Sequence, residues 1–217
     1  MTVVTLSLQA NSPLTAFWIL HYICFIPGLM AKIHAEIHPA FDKSTGKLTN
    51  LSHLLNNCPL LNSIYHEVLR YTSAAVGIRQ VEEDTILGGY TFIEGAIVMM
   101  PVRPNHFDPN VFGDDVDDFV PERFIRTEEE LSRSPGLKNP GTKVLKAFGG
   151  GTTLCPGRHF AANEILSSVA GILQRFDLDV VEGEKIAVPS SKEPTVGTYL
   201  ADHDVKIRMR VRERTRD

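Results

Sequence analysis

The chain has 217 residues, 43% of them hydrophobic, and a formal net charge of −4, which is enough apolar material for a sizeable core in one domain or one large fragment of a domain. That charge balance, with 22 basic residues scattered along the chain, excludes a general electrostatic attraction to phosphate backbones and argues against nucleic acid as a partner. Three cysteines, Cys24, Cys58 and Cys155, lie far apart with no C-x-x-C pair, which excludes a zinc module and suits a reducing compartment.

The first predicted element is an apolar helix. Leu14 to Met30 is bracketed by Pro13 and Pro27-Gly28 and interrupted by His21, with no basic run before it. It falls short of the roughly 20 apolar residues of a membrane span, so a buried core helix is the better reading. Leu29, Ile33 and Ile37 then recur every four residues until His38-Pro39 stops a second helix. His34-Ala35-Glu36-Ile37-His38 puts two histidines on one helix face, but the zincin pattern needs glutamate directly after the first histidine. Two solvated histidines are expected there instead.

A polar loop follows from Asp42 to Asn50, and Pro59 opens a further helix with Leu60, Ile64 and Val68 as its apolar stripe. Ser63, Glu67 and Arg70 lie on another face of that helix, and Glu67 and Arg70, three apart, can pair. Residues 1–71 thus read as a helical part. Residues 76–102 read as a small sheet of short strands turning at Gly88-Gly89 and Glu94-Gly95. Residues 104–147 read as an irregular meander tied down by Phe112, Phe119 and Phe124, and loops that long usually serve a site. Residues 148–176 comprise a glycine-rich loop and a helix marked by Ala161, Ile165, Val169, Ile172 and Phe176. Residues 177–217 are terminal strands, with alternation from Val205 to Val211.

The loop Phe148-Gly149-Gly150-Gly151-Thr152-Thr153-Leu154-Cys155-Pro156-Gly157-Arg158-His159 delivers one cysteine at the start of a helix. Glycines let the backbone adopt positive φ and pass close to a flat ligand, and free N–H groups at the helix start are expected to face the sulfur. The helix dipole favours thiolate over thiol. A phosphate loop would need Lys followed by Ser or Thr after its last glycine, where Arg158-His159 stands.

Phe148, Gly151, Cys155 and Gly157 match the signature of the cytochrome P450 family, which this chain resembles from its central helix to its end. One position departs: Thr153 stands where the family usually has a basic residue. The resemblance implies a mainly α fold with small β-sheets (α+β), the carboxy-terminal portion of the cytochrome P450 fold. It implies haem b, with Cys155 as axial iron ligand and Phe148, Gly151, Gly157 and Arg79 around the cofactor. Arg79 falls where the family sets an arginine against a haem propionate. Glu67, Arg70 and Arg123, the last from Pro121-Glu122-Arg123-Phe124, are implied to form a buried charge network. Asn105-His106-Phe107-Asp108-Pro109 resembles the family's His-x-Asp-Pro segment and reads as structural.

The first helix resembles the family's central helix on the oxygen side of the haem, with Ala10 and Asn11 at the positions of its acid and threonine. Asn11 with Pro13 is similar to the bile-acid steroid hydroxylases and to prostacyclin synthase, which differ in chemistry. Pro13 cannot donate to the carbonyl of Gln9; the kink this implies serves oxygen and water or packing alone, and the sequence leaves both open. The resemblance implies a monooxygenase hydroxylating a lipophilic sterol-, terpenoid- or secondary-metabolite-like substrate. Its electrons would come from NADPH-dependent cytochrome P450 reductase. A peroxide isomerase or dehydratase without reductase, and a truncated pseudoenzyme binding no haem, are the rivals. About half the family's fold would precede Met1, including the anchor that implies the cytoplasmic face of the endoplasmic reticulum membrane.

Overall fold

The long apolar segment folds as α1 (Thr2–Phe25) in the computed structural model, which describes residues 2–134, 136–192, 195 and 197–212, with side chains from Ala10 onward. Pro27 and Gly28 end it, Gly28 at φ 77°, a left-handed conformation that a side chain would strain. Next come α2 (Leu29–Ile37), α3 (Leu51–Asn56) and α4 (Pro59–Thr72). Strands β1 (Val76–Gln80), β2 (Thr85–Leu87), β3 (Tyr90–Phe92) and β4 (Ile97–Pro101) follow. Short helices α5 (Val102–His106), α6 (Pro109–Phe112) and α7 (Glu128–Arg133) punctuate the meander. Helix α8 (Arg158–Arg175) leads into β5 (Phe176–Val180), β6 (Pro189–Ser190), β7 (Leu200–Ala201) and β8 (Ile207–Val211).

The core lies where α1, α2, α4 and α8 meet. Trp18, Ile19 and Ile23 of α1, Leu61, Ile64 and Val68 of α4, and Val169 and Leu173 of α8 are all fully buried in one cluster. Each such side chain contributes about 1.5–3 kcal/mol through removal from water. The central position of α1 agrees with a core helix, and among the described residues no helix is long and apolar enough to cross a membrane.

The sheets are small and antiparallel. β1 pairs with β4, Arg79 facing Val98, while the β2–β3 hairpin turns at Gly88-Gly89. β5 pairs with β8, and β6 with β7. Residues 76–102 therefore form two ladders, because Glu82–Asp84 and Ile93–Gly95 interrupt the pairing between them.

Three expectations need correction. Phe176 is the first residue of β5, pairing with Val211, and not part of α8. The helix's buried stripe instead runs Ile165, Leu166, Val169, Ala170 and Leu173. The meander is not uniformly irregular: Asp108 and Thr127 cap α6 and α7 through Asn110 N–H and Glu130 N–H. His34 and His38 are not a matched solvated pair, since His34 is half-buried with Nδ1 3.0 Å from Arg212 Nη1. Glu36 between them has a structural use: its carboxylate accepts the Leu60 and Leu61 N–H groups at 2.9 and 3.0 Å, capping α4 from another helix.

Candidate functional site

Helix α4 is buried nearly all round, so its polar residues must find partners inside the protein. Glu67 and Arg70, one turn apart and fully buried, pair through two parallel bonds of 2.8 Å from Arg70 Nε and Nη2. Arg70 Nη1 donates to the carbonyls of His106 and Val116, and Nη2 to that of Asp118. Arg123 Nε reaches both Glu67 oxygens at 3.1 Å, and its other nitrogens donate to Phe112, Asp115 and Asp118 carbonyls and to the Asp115 carboxylate. Every N–H of both guanidinium groups thus has an acceptor.

The network is larger than the residues legible in the sequence. Asp115 also pairs with Arg126, itself nearly buried. Burial would raise the Asp115 carboxyl, but hydrogen bonds from Arg126 and Arg123 outweigh it and hold the group below its ordinary range. No periodicity marks Asp115 or Arg126, and most acceptors are backbone carbonyls, so the sequence marks only Glu67, Arg70 and, by resemblance, Arg123.

The C-terminal end of α4 is finished by side chains of α5. Its last carbonyls have no intrahelical donors. His106 Nδ1 lies 3.1 Å from the Arg70 carbonyl, Arg103 Nη1 donates to that of Tyr71, and Tyr199 N–H to that of Thr72. Burial pushes the His106 imidazole down to about 4, with the nearby Arg70, Arg103 and Lys146 charges adding to it. In the unfolded chain the same group takes up a proton below about 6.5. The neutral form therefore stabilises the fold fully above that pH, and this contribution is lost as the pH falls from about 6.5 to about 4, by at most about 3 kcal/mol. Urea midpoints measured across this range are expected to fall, and to fall less in His106→Phe; equal slopes in the two proteins would refute the assignment.

The cysteine loop begins at a turn in which the Lys146 carbonyl accepts Gly149 N–H at 2.8 Å, and the Phe148 carbonyl accepts Cys155 N–H at 3.0 Å. Gly149 and Gly151 take φ of 77° and 62°, where only glycine is unstrained. Gly157 differs: its φ is −80°, and what matters is that a Cβ there would lie 3.7 Å from Cys155 Sγ, against the sulfur. Cys155 is a free, half-buried thiol. The expected N–H contacts to it are not made among the described residues, and α8 starts three residues further on, at Arg158.

Arg79 crosses from β1 to this loop. Its Nη2 donates to the Gly150 carbonyl at 3.2 Å and to the Thr153 hydroxyl. The guanidinium thus stands beside Thr153, the position where a basic residue was missing. Phe148 packs half-buried against the core, fixing the base of the loop. These residues fit a flat, iron-bearing, anionic macrocycle. A free sulfur, two glycines with open space where a side chain would lie (Gly150 and Gly151), and a cation converge on one loop.

Asn11 lies on a different part of the fold. Its Oδ1 accepts the Thr198 N–H at 3.1 Å, and its carbonyl accepts the Thr15 hydroxyl at 2.9 Å. Gly197, at φ 131°, brings its backbone so close that any Cβ would overlap the Asn11 side chain. Together with Trp18 Nε1 on the Tyr199 carbonyl at 2.8 Å, these bonds fasten the terminal loop along α1. The helix continues through Pro13.

Comparison with known proteins gives a consistent picture. The cytochrome P450 family model matches residues 9–206. The cytochrome P450 monooxygenase nodJ of Hypoxylon pulicicidum is 31% identical over 94% of this chain and 41% of its own length. Cholesterol 7-alpha-monooxygenase of Cricetulus griseus is 31% identical over 80% of this chain and 37% of its own length. A crystal structure of a cytochrome P450, CYP102L1, superposes with a TM-score of 0.71 at 25% identity, covering 93% of this chain and 42% of that one. The chain spans about two fifths of the length of these proteins.

Proposed function

The chain belongs to the cytochrome P450 family, and from that premise we propose that it carries the haem-thiolate site of a monooxygenase hydroxylating a lipophilic substrate. The observation that carries the reading is the convergence of the free Cys155 thiol, its glycine loop and the Arg79 guanidinium. In this reading Cys155 ligates the iron of haem b, Phe148, Gly151 and Gly157 shape the loop against the macrocycle, and Arg79 pairs with a propionate. Thiolate-ligated haem supplies the reductive activation of dioxygen.

The protein's part is to hold and to orient. Thr153 and the Gly150 carbonyl keep the Arg79 side chain over the loop, so one arginine serves where the family usually has two cations. Arg79→Ala is expected to weaken haem retention about ten- to hundredfold, the worth of one charge-assisted bond, and a second change, Thr153→Arg, to restore part of it. Haem transfer to apomyoglobin measures both, and equal release from wild type and Arg79→Ala would contradict the pairing. Asn11 and Pro13 stand on the oxygen side in this proposal. With Oδ1 committed to Thr198, the amide NH2 is what Asn11 would offer there.

A sterol-like substrate is supported by the similarity to a cholesterol 7-alpha-monooxygenase, in line with the likeness of Asn11 and Pro13 to that branch. The electron donor in this proposal is NADPH-dependent cytochrome P450 reductase. The working place in this proposal is the cytoplasmic face of the endoplasmic reticulum membrane. Turnover of a sterol panel with NADPH and reductase, against turnover with peroxide alone, tests the proposal. Hydroxylated product that needs both reagents supports it; an organic peroxide rearranged or dehydrated without them, with no oxygen added, would identify an isomerase or dehydratase.

A further inference from the structure

His106 is a fully buried titratable side chain outside the residues proposed to hold the haem. Its ring touches both halves of the site. Nε2 lies 3.0 Å from the Lys146 backbone nitrogen, which can only donate, so Nε2 is the acceptor. The ring proton is therefore on Nδ1, 3.1 Å from the Arg70 carbonyl. On one side stands the residue that anchors the buried charge network. On the other is Lys146, whose own carbonyl closes the turn opening the cysteine loop.

We propose that His106 is a positioning residue that ties the cysteine loop to the buried charge network and thereby sets where Cys155 is presented. A histidine suits this place because a neutral imidazole offers one donor and one acceptor on opposite edges of a rigid ring. Arg70, Arg103 and Lys146 act on it with positive charge, and Phe112 lies edge-on at 6.3 Å between centroids, so among the described residues no anionic neighbour draws the ring into the cationic form. A cationic ring would turn a second N–H toward the Lys146 amide and break the tie. Arg79 holds the same loop further along, at Gly150 and Thr153. The tie itself follows from the geometry of the chain, and only its consequence for iron ligation rests on the haem-thiolate reading.

Three variants of the full chain test it. In His106→Gln the amide oxygen can replace Nε2, in His106→Asn only the Nδ1 side can be imitated, and in His106→Phe both bonds are lost. Hydrogen exchange of the Lys146 amide in the haem-free protein is expected to quicken on the order of tenfold in the Phe and Asn variants and to stay near wild type in Gln. With haem bound, the share of long-wavelength, thiolate-type carbon monoxide complex should fall in Phe and Asn and hold in Gln. The inference is overturned if His106→Phe protects Lys146 as wild type does, or if the Gln variant behaves like Phe, failure to fold included. A wild-type chain that binds no haem would count against the haem-thiolate reading, while the exchange measurements would still decide the tie.

Discussion

Glu67→Gln is expected to destabilise the chain by about 3–5 kcal/mol, because it leaves two fully buried guanidinium groups without their shared carboxylate. Removing a buried partner costs far more than removing an exposed one, since the remaining charge cannot be rehydrated in place. An internal control is available in the Glu129–Arg133 pair, whose side chains are 72% and 73% exposed. Arg133→Ala should therefore shift stability by no more than about 0.5 kcal/mol. Against a total of about 5–15 kcal/mol for a typical domain, the Glu67 change removes a large part of the margin. Urea unfolding of both variants at neutral pH measures the contrast, and similar midpoints would mean that the network does not hold the meander.

On the proposed haem-thiolate function, Cys155→Ser is expected to leave the fold intact and abolish turnover. The sulfur is half-buried and outside the core cluster, so the change in stability should stay within about 1 kcal/mol. The loss of turnover should be at least about a hundredfold, since even outer-shell partners of a metal ligand are worth 10–100-fold. Circular dichroism and substrate hydroxylation by the wild-type and variant proteins, each supplied with haem and reductase, measure the two effects. A folded serine variant with wild-type turnover would rule out the cysteine as the ligand that matters.

What could be read in advance divides by the kind of interaction that carries it. Leu29, Ile33 and Ile37 follow helical periodicity, and Pro27-Gly28 and His38-Pro39 punctuate it, so α2 was legible to its end residues. Helix α3 was not predicted, because six residues capped by Asn50 offer too short a window for periodicity. The spacing of Phe176 from Ile172 continues the helical stripe and predicts it in α8, while its pairing with Val211, far along the chain, decides otherwise. The same limit governs the site. The glycine–cysteine loop is local and legible as a candidate, whereas Asp115 and Arg126 join the charge network through the Asp115 carboxylate, in contacts across the meander. Resemblance singles out Arg79, but its bond to the Thr153 hydroxyl, which sets the guanidinium beside the position of the absent cation, depends on a strand reaching a loop 74 residues away.

A carbon monoxide difference spectrum of the reduced, haem-supplied chain tests iron ligation by Cys155 most directly. The expected result is a long-wavelength, thiolate-type Soret band that is lost in Cys155→Ser. A featureless trace, or a band that the serine variant shares, would contradict it.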